Sequence, residues 1–255
     1  MSKEYQDLDD EVFYPESDGK PMADNTLQYE WIVMIKEGLE VELPNDFVAA
    51  DLFWYPVKGN TNLHYAPDVM VALGRPKGYR GSYKQWEENN VTPQVVFEIL
   101  SPRNTAMEMH RKHDFYNSYG VQEYYLYDPH NNEFLVWQRE HDNLSPVDFV
   151  GGWVSPLLGI RFQPTTEKLQ IFHRDGEPFL SYLQVRETAQ YERAEKEKER
   201  AEKEKERAEK ERERAEKEKE RAEKEVALAK VQEEQAEKNR LKEKLRQLGI
   251  DPDSV

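Results

Sequence analysis

Two isolated carboxylates and one lysine are the residues whose types and positions could carry out a reaction. Asp68 precedes the apolar run 69–73, Glu98 interrupts the apolar run 95–100, and Lys112 follows on a segment with helical spacing. Charged groups at such positions are costly to bury unless they are paired or bound to a metal. If the two runs form neighbouring strands, both carboxylates can reach one hard cation such as Mg²⁺, which prefers oxygen ligands.

A cation held in this way would activate water and stabilise the charge that develops on a phosphate during hydrolysis. Lys112 would then hold the phosphate or the attacking water. In the alternative interpretation, Asp68 and Glu98 only mark strand ends and bind backbone amides or arginines. Because two single acids in separate strands are a weak motif, their spacing alone leaves both interpretations open.

Three further acids are weaker candidates for the same site. Glu30 lies on a predicted first helix, Asp51 is isolated in a predicted strand, and Glu108 precedes Lys112 by about one helical turn. Each has a simpler explanation, because Glu30 and Asp51 fit a surface position and Glu108 fits a salt bridge. The sequence favours the simpler explanation for all three.

A loop that mixes basic and aromatic residues spans residues 75–86. It contains Arg75, Lys77, Arg80 and Lys84, interleaved with Tyr79, Tyr83 and Trp86. Such a mixture suits a surface that follows a nucleic-acid backbone and stacks on bases. An ordinary ordered surface insertion explains the loop almost as well, so its contact with nucleic acid is a weak prediction.

A strand–turn–helix unit must position Glu98 and Lys112. The β-branched and aromatic run 95–100 predicts a buried strand, and Ser101-Pro102 predicts the turn that ends it. Four residues of the following segment then share one line of a helix: Met109, Lys112, Tyr116 and Tyr119. The lysine therefore faces the same side as apolar and aromatic neighbours, which supports a functional position for its ammonium group.

The rest of the chain up to residue 185 alternates predicted helices and short strands. Residues 26–40 have the pattern of an amphipathic helix and follow good N-cap residues. We predict strands at 47–57, 64–74, 123–128, 133–138, 147–154, 159–162 and 169–172, and the start of a last helix at 179–185.

The charge distribution separates an acidic part from a nearly neutral tail. Residues 1–186 contain 16 basic and 29 acidic residues, whereas residues 187–255 contain 20 and 22. Because nucleic-acid binding usually depends on basic surface, any such binding requires a local patch or bound cations.

The chain has no cysteine, which excludes disulfides and thiolate zinc sites. It shows no signal peptide and no long apolar run, so we expect a soluble cytoplasmic protein.

The tail is a seven-residue repeat with a single small apolar residue in each repeat. Alanines recur at positions 194, 201, 208, 215, 222, 229 and 236. Because a coiled coil needs apolar residues at both the a and d positions, a tight dimer seam over 193–225 is not favoured. The alternative is a solvated single helix that is held by ion pairs between glutamates and basic residues three or four positions apart.

Larger apolar residues appear only near the end of the tail. They are Val226, Leu228, Val231, Leu241, Leu245 and Leu248. If the chain forms homo-oligomers through this helix, we expect the contact to lie among these residues. Gly249 and Pro252 supply a stop for the helix.

Three segments of the sequence resemble a known family. They are Ala66-Pro67-Asp68-Val69-Met70-Val71, then Val96-Phe97-Glu98-Ile99-Leu100-Ser101-Pro102, and then Lys112 followed by Tyr119-Gly120-Val121-Gln122-Glu123-Tyr124-Tyr125. Together they resemble the Uma-type restriction endonuclease family, a branch of the PD-(D/E)XK nuclease superfamily. The resemblance covers about residues 25–185.

The resemblance implies an α/β, restriction-endonuclease-like core with a mixed central sheet flanked by helices. It also implies Mg²⁺ or Mn²⁺ and the hydrolysis of phosphodiester bonds, with DNA as the substrate. Asp68 matches the first acid of the family and Glu98 the second, and both would bind the metal. Leu100 stands where the superfamily usually has a lysine, and Lys112 occupies the matching place on the following helix.

The sequence thus predicts three regions and one main function. Residues 1–24 form a flexible acidic arm, and residues 25–185 form a nuclease-like domain. Residues 186–255 form a long charged helix of heptad repeats that follows the α/β core and can form a coiled coil at its end. The predicted function is that of a metal-dependent endonuclease. The alternative is an inactive nuclease fold that serves as a scaffold and uses its long helix for oligomerisation or partner binding.

Overall fold

The computed structural model describes residues 12–17, 19 and 21–247. The chain divides into two compact units, Met1–Val185 and Arg186–Val255. The first residues of the predicted acidic arm lie outside the described residues. So do Leu248 and the predicted helix stop at Gly249 and Pro252.

The described residues of the first unit form eleven strands and two helices, and a third helix begins near the end of this unit. The strands are β1 (Phe47–Ala50), β2 (Trp54–Tyr55), β3 (Val69–Ala72), β4 (Tyr83–Lys84), β5 (Val95–Ile99), β6 (Glu123–Asp128), β7 (Glu133–Glu140), β8 (Asn143–Pro146), β9 (Trp153–Val154), β10 (Arg161–Pro164) and β11 (Leu169–Phe172). The helices are α1 (Thr26–Glu42), α2 (Ala106–Ser118) and α3 (Tyr182–Gln247), and a short 3₁₀ helix spans Gln85–Glu88.

Six strands form a mixed central sheet in the order β1-β3-β5-β6-β7-β8. Strands β5 and β6 are parallel, and the other neighbours in this sheet are antiparallel. Because parallel strands need a crossover, α2 connects β5 to β6. The predicted α/β architecture with a mixed sheet is therefore confirmed.

The two faces of the sheet carry two apolar cores. Helix α1 covers one face through Trp31, Ile32, Ile35 and Leu39, which pack with alternate residues of β5. Helix α2 covers the other face through Phe115 and Tyr116, which pack with residues that include Met70, Val96 and Tyr124. The two-residue period of β5 therefore sends Val95, Phe97 and Ile99 to one face and Val96 and Glu98 to the other.

The predicted strand 47–57 is wrong, because the chain forms two short strands there. Strand β1 ends at Ala50, and Asp51 takes a left-handed conformation with φ of 49°. Its N–H group donates to the carbonyl of Pro67 at 3.1 Å and also, over 3.4 Å, to the carbonyl of Asp68, so the regular ladder ends here. Aspartate is one of the few residues that tolerate this conformation. The bend sends β2 away from the central sheet, and β2 pairs in parallel with β4.

Strands β7 and β10 differ by two residues from their predicted boundaries, and two other predicted strands differ by more. The predicted strand 64–74 is reduced to β3, which begins at Val69 because Pro67 has no N–H group to donate to a ladder. The predicted strand 147–154 is replaced by β8, which ends before it, and by the two residues of β9. Gly151 and Gly152, with φ of 79° and 156°, turn the chain between these strands.

The tail is helical up to Gln247, the last residue that the structure describes, as the sequence predicts. Helix α3 contains 66 residues. Lys219 lies 3.9 Å from Glu223, and five other ion pairs of the helix join a glutamate to the lysine four residues later. These pairs are Glu192–Lys196, Glu199–Lys203, Glu206–Lys210, Glu213–Lys217 and Glu220–Lys224. Among the described residues, no helix combines the length and apolar character that a membrane crossing needs.

One close contact between α1 and the chain before α3 gives a prediction about stability. A Cβ atom added at Gly38 would lie well inside van der Waals distance of the buried ring of Phe179. Alanine usually stabilises a helix relative to glycine, but here we expect Gly38→Ala to lower the free energy of unfolding by about 1–3 kcal/mol because of overpacking.

Urea denaturation followed by tryptophan fluorescence measures this change, because all five tryptophans precede residue 186. The control is the pair of variants Phe179→Leu and Gly38→Ala/Phe179→Leu, in which the smaller side chain should reduce the cost of the alanine. An unchanged or increased stability of Gly38→Ala alone would contradict the prediction.

Candidate active site

The register of the central sheet brings Asp68 and Glu98 face to face. Val69 of β3 pairs with Phe97 of β5 in antiparallel orientation. One step further along this register, Asp68 lies opposite Glu98, and opposite residues of antiparallel strands have Cα atoms about 4.5–5.5 Å apart. The N–H group of Ile99 donates to Oδ2 of Asp68 at 2.6 Å, which ties the Asp68 side chain to β5.

Helix α2 supplies two donors to the carboxylate of Glu98. Nζ of Lys112 donates to Oε2 of Glu98 at 2.7 Å, and the hydroxyl of Tyr116 donates to Oε1. Glu98 is only 2% exposed, so the ammonium group of Lys112 compensates a charge that has almost no contact with solvent. Both carboxylate oxygens of Glu98 are thereby held in fixed positions.

The start of α2 is fixed by local hydrogen bonds. The hydroxyl of Thr105 caps the helix by accepting from the N–H group of Glu108 at 3.2 Å. The side chain of Asn104 accepts from the N–H group of Ser101 at 2.8 Å, which closes the turn between β5 and α2. Because Lys112 lies two turns after this cap, the turn determines where its ammonium group meets β5.

The electrostatics of the site keep Asp68 and Lys112 protonated at neutral pH. Burial, followed by the negative charge of Glu98, raises the pKa of Asp68 from 3.8 to about 8, although Lys112 and the N–H group of Ile99 act in the opposite direction. Burial lowers the pKa of Lys112, but the carboxylates of Glu98 and Asp68 outweigh it and the pKa is raised. Burial and then Glu98 raise the pKa of the Tyr116 hydroxyl, which stays a neutral donor.

A cavity of about 340 Å³ opens beside this cluster. Its lining includes Asp68 and Lys112, and it also includes the acids Asp24, Asp51 and Glu108. Glu98 is not among the lining residues and lies under Lys112. The cavity therefore joins one ammonium group to several carboxyl groups that can face solvent.

The donor atoms around this cavity fit a hard divalent cation. They are carboxyl oxygens, which Mg²⁺ and Mn²⁺ prefer. Oδ1 of Asp68 makes no hydrogen bond to the described residues. Within residues 12–17, 19 and 21–247, no three histidine or acidic side chains form a ready metal cluster. Mg²⁺ usually keeps several water ligands and binds through one or two carboxylates, which Asp68 and the facing Glu98 could supply.

The structure brings together the three main residues predicted from the sequence, Asp68, Glu98 and Lys112. Asp51 and Glu108, two of the weaker candidates, line the same cavity. The third weaker candidate, Glu30, is an exposed residue of α1 and does not line the cavity.

The basic residues of the loop 75–86 make contacts within the domain. Nε of Arg75 lies 2.8 Å from Oε2 of Glu88, and Nε of Arg80 lies 2.5 Å from Oε1 of the same carboxylate. Lys77 donates to a backbone carbonyl of α1, and Lys84 lies 3.5 Å from Glu87. None of the four basic residues lines the cavity. Their contact with nucleic acid stays a prediction.

Among the polar residues of the site that the sequence pattern does not predict are Tyr116 and Gln28. Helical spacing places Tyr116 on the apolar line of α2, and its position one turn after Lys112 is the signal for a second donor to the same acceptor. Gln28 of α1 is 6% exposed, and its Nε2 donates to the carbonyl of Ile99 at 2.8 Å. The sequence signal for the buried position of Gln28 is its place one helical turn before Trp31 and Ile32, which are also buried.

The described part of the acidic arm contacts the domain. The hydroxyl of Tyr55 donates to the carbonyl of Pro15 at 2.7 Å, and the N–H group of Gly59 donates to the hydroxyl of Tyr14 at 2.6 Å. Residues 21–24 form part of the cavity lining. The segment before α1 therefore forms one wall of the site.

The raised pKa of Asp68 predicts a dependence of stability on pH in metal-free buffer. The folded state keeps the proton of Asp68 up to about pH 8, whereas the unfolded state releases it near 3.8. Protons therefore favour the folded state, and this contribution is lost as the pH rises from about 4 to about 8, by at most about 1.4 kcal/mol per pH unit for one group.

Urea denaturation in EDTA at several pH values measures this contribution as the difference between the parent and Asp68→Asn. We expect the parent to lose stability relative to Asp68→Asn as the pH rises through this range. The same pH dependence in both proteins would exclude a raised pKa at Asp68.

The buried ion pair gives a second prediction. Lys112→Met removes the ammonium group and leaves the buried Glu98 charge without a partner, which should lower the free energy of unfolding by about 3–5 kcal/mol. Lys112→Met/Glu98→Gln removes both charges and should recover most of this loss. Urea denaturation at pH 7 provides the measurement, and equal stabilities of the two variants would contradict the pairing.

Comparison with known proteins identifies a family and a similar solved structure. The family described as "Uma2: Putative restriction endonuclease" matches residues 40–170, a range that contains Asp68, Glu98 and Lys112. One similar solved structure is described as a "putative nuclease belonging to DUF820" from Anabaena variabilis, with 16% identity, a TM-score of 0.42, and coverage of 55% of this chain and 77% of that chain. No curated protein matches the chain. Since the family match covers half of the sequence, the chain belongs to the Uma2 family.

Proposed function

We propose that the chain is a metal-dependent endonuclease that hydrolyses phosphodiester bonds in DNA. The observation that carries this proposal is the meeting of Asp68, Glu98 and Lys112 beside one cavity, although they come from three separate segments of the chain. Membership of the Uma2 family supports a nucleic acid as the substrate. Asp68 and Glu98 would hold Mg²⁺ or Mn²⁺.

The bound ion would supply a Lewis acid for the phosphodiester and lower the pKa of a water molecule. Asp68 must release its proton to become a ligand, so divalent cations should bind more tightly as the pH rises toward 8. Glu98 enters the reaction as a carboxylate with a fixed orientation, because Lys112 and Tyr116 donate to its two oxygens.

Lys112 supplies the positive charge that the usual lysine position lacks. Leu100, which stands at that position, packs against the apolar core under α2. The ammonium group of Lys112 reaches Glu98 from the helix instead and also lines the cavity. Because its pKa is raised, it stays charged and can hold a phosphate oxygen or orient the attacking water.

The acidic lining of the cavity makes substrate binding dependent on cations. Asp24, Asp51 and Glu108 surround the position that a phosphate must enter, and the region 1–186 has an acidic excess. Without a cation these groups repel a phosphate, which supports a role for the divalent ion in binding as well as in the reaction.

Cleavage of a DNA panel with Mg²⁺ or Mn²⁺ tests the proposal. We expect the parent to cut at least one DNA, and we expect Asp68→Ala and Glu98→Gln to lose activity by about 100-fold or more because each removes a charged ligand. Glu37→Gln is the matched control, since this acid is exposed on α1. Tryptophan fluorescence checks that each variant is folded.

Calorimetric titration with Mn²⁺ supplies a second measurement that does not depend on the choice of substrate. The parent should bind the ion, and both site variants should lose that binding. Unchanged cleavage by the two variants, or the absence of both cleavage and Mn²⁺ binding in the parent, would exclude the proposal and leave the scaffold interpretation. Cleavage of RNA alone would correct the substrate.

A further inference from the structure

The last part of α3 carries a stripe that differs from the preceding repeats. Six residues, spaced alternately four and three apart, lie on one side of the helix, and we call them the terminal seam. They are Ala227, Val231, Glu234, Lys238, Leu241 and Leu245. This spacing is the a and d pattern of a coiled coil. Val231 and Leu241 are 55% and 56% exposed, so the seam presents apolar side chains to solvent.

The same heptad positions are occupied differently earlier in the helix. There, each d position holds a glutamate that forms an ion pair with the lysine at the following a position, as in Glu213–Lys217 and Glu220–Lys224. These charges are satisfied within one helix and offer no apolar surface to a partner. The stripe becomes a candidate contact only from Ala227 onward.

The charges in the middle of the terminal seam are arranged differently. Glu234 and Lys238 have the same spacing as the earlier pairs, but within the described part of α3 they form no ion pair. They lie between two apolar layers, one with Val231 and one with Leu241. An acid and a base on an exposed apolar stripe are the features of a contact that is selected by charge.

We propose that the terminal seam binds the terminal seam of a second copy of this chain in antiparallel orientation. A two-fold axis near residue 236 pairs Val231 with Leu241 and Ala227 with Leu245. It also places Glu234 of each copy opposite Lys238 of the other. The symmetry forms each contact twice, so two intermolecular acid–base pairs lie between four apolar layers.

The charges exclude the other simple arrangements. In a parallel pair, Glu234 would face Glu234 and Lys238 would face Lys238, which places like charges together. If the antiparallel register moved by one heptad, Glu234 would face either Val231 or Leu245 and would lose its basic partner. One orientation and one register therefore satisfy both the apolar and the charged positions.

Sedimentation equilibrium of the full chain over about 1–200 µM tests the association, because a short seam should give a dimer that depends on concentration. Glu234→Lys should raise the dimer dissociation constant about tenfold or more, since it places lysines opposite Lys238 at two symmetric contacts. Glu234→Lys/Lys238→Glu should restore the dimer. Glu243→Lys is the matched control, because this residue lies on the opposite side of the helix.

Cysteine cross-linking tests the orientation, because the natural chain has no cysteine. A mixture of Val231→Cys and Leu241→Cys chains should form disulfide-linked dimers under mild oxidation, and Val231→Cys alone should not. Circular dichroism checks that the variants remain helical. The proposal fails if the parent is monomeric over the whole concentration range, if Glu234→Lys associates as the parent does, or if Val231→Cys links to itself as readily as the mixture does. None of these outcomes depends on nuclease activity.

Discussion

The candidate site depends on a charge that lies inside the central sheet. Glu98 belongs to β5, whose five residues are all buried, and a carboxylate at that position has little access to water. Its charge is tolerated because Lys112 and Tyr116 of α2 donate to its two oxygens. The helix is therefore constrained to lie where a lysine and a tyrosine one turn apart can both reach β5. This constraint connects the crossover between the two parallel strands with the chemistry of the site.

The carboxyl group of Asp68 lies opposite Glu98 and adds an electrostatic cost to the site. Two carboxylates in one poorly solvated site cannot both be charged without a large cost, and here Asp68 takes up a proton. The single ammonium group of Lys112 compensates Glu98 but is not sufficient for both acids. A divalent cation would remove this cost, because it supplies the second positive charge and displaces the proton of Asp68. If the site binds such an ion as proposed, the electrostatic cost of the metal-free site would contribute to its affinity for the ion.

The sequence was sufficient for the features that depend on local pattern. A lone acid in an apolar run identified Glu98, and helical spacing placed Lys112 on the inner side of α2. The sequence did not predict the bend at Asp51, because a left-handed residue there is stabilised by a hydrogen bond to Pro67, which is close only in the folded chain. The hydrogen bond from Gln28 to the carbonyl of Ile99 is similar, since 71 residues separate the two partners. Non-local contacts of this kind leave no regular period in the sequence.

Ion pairs between glutamate and lysine contribute differently to stability in the two units of the chain. Between Glu98 and Lys112, solvent is nearly absent, so removing one partner leaves a charge that water cannot stabilise. Along α3, glutamates and lysines are exposed and screened, and each pair contributes little to the stability of the helix. Exposed charges can still determine how two helices pair, because attraction and repulsion differ in sign between alternative arrangements even when each is weak. In α3, an apolar stripe would supply the attraction between two chains, whereas Glu234 and Lys238 would select the orientation.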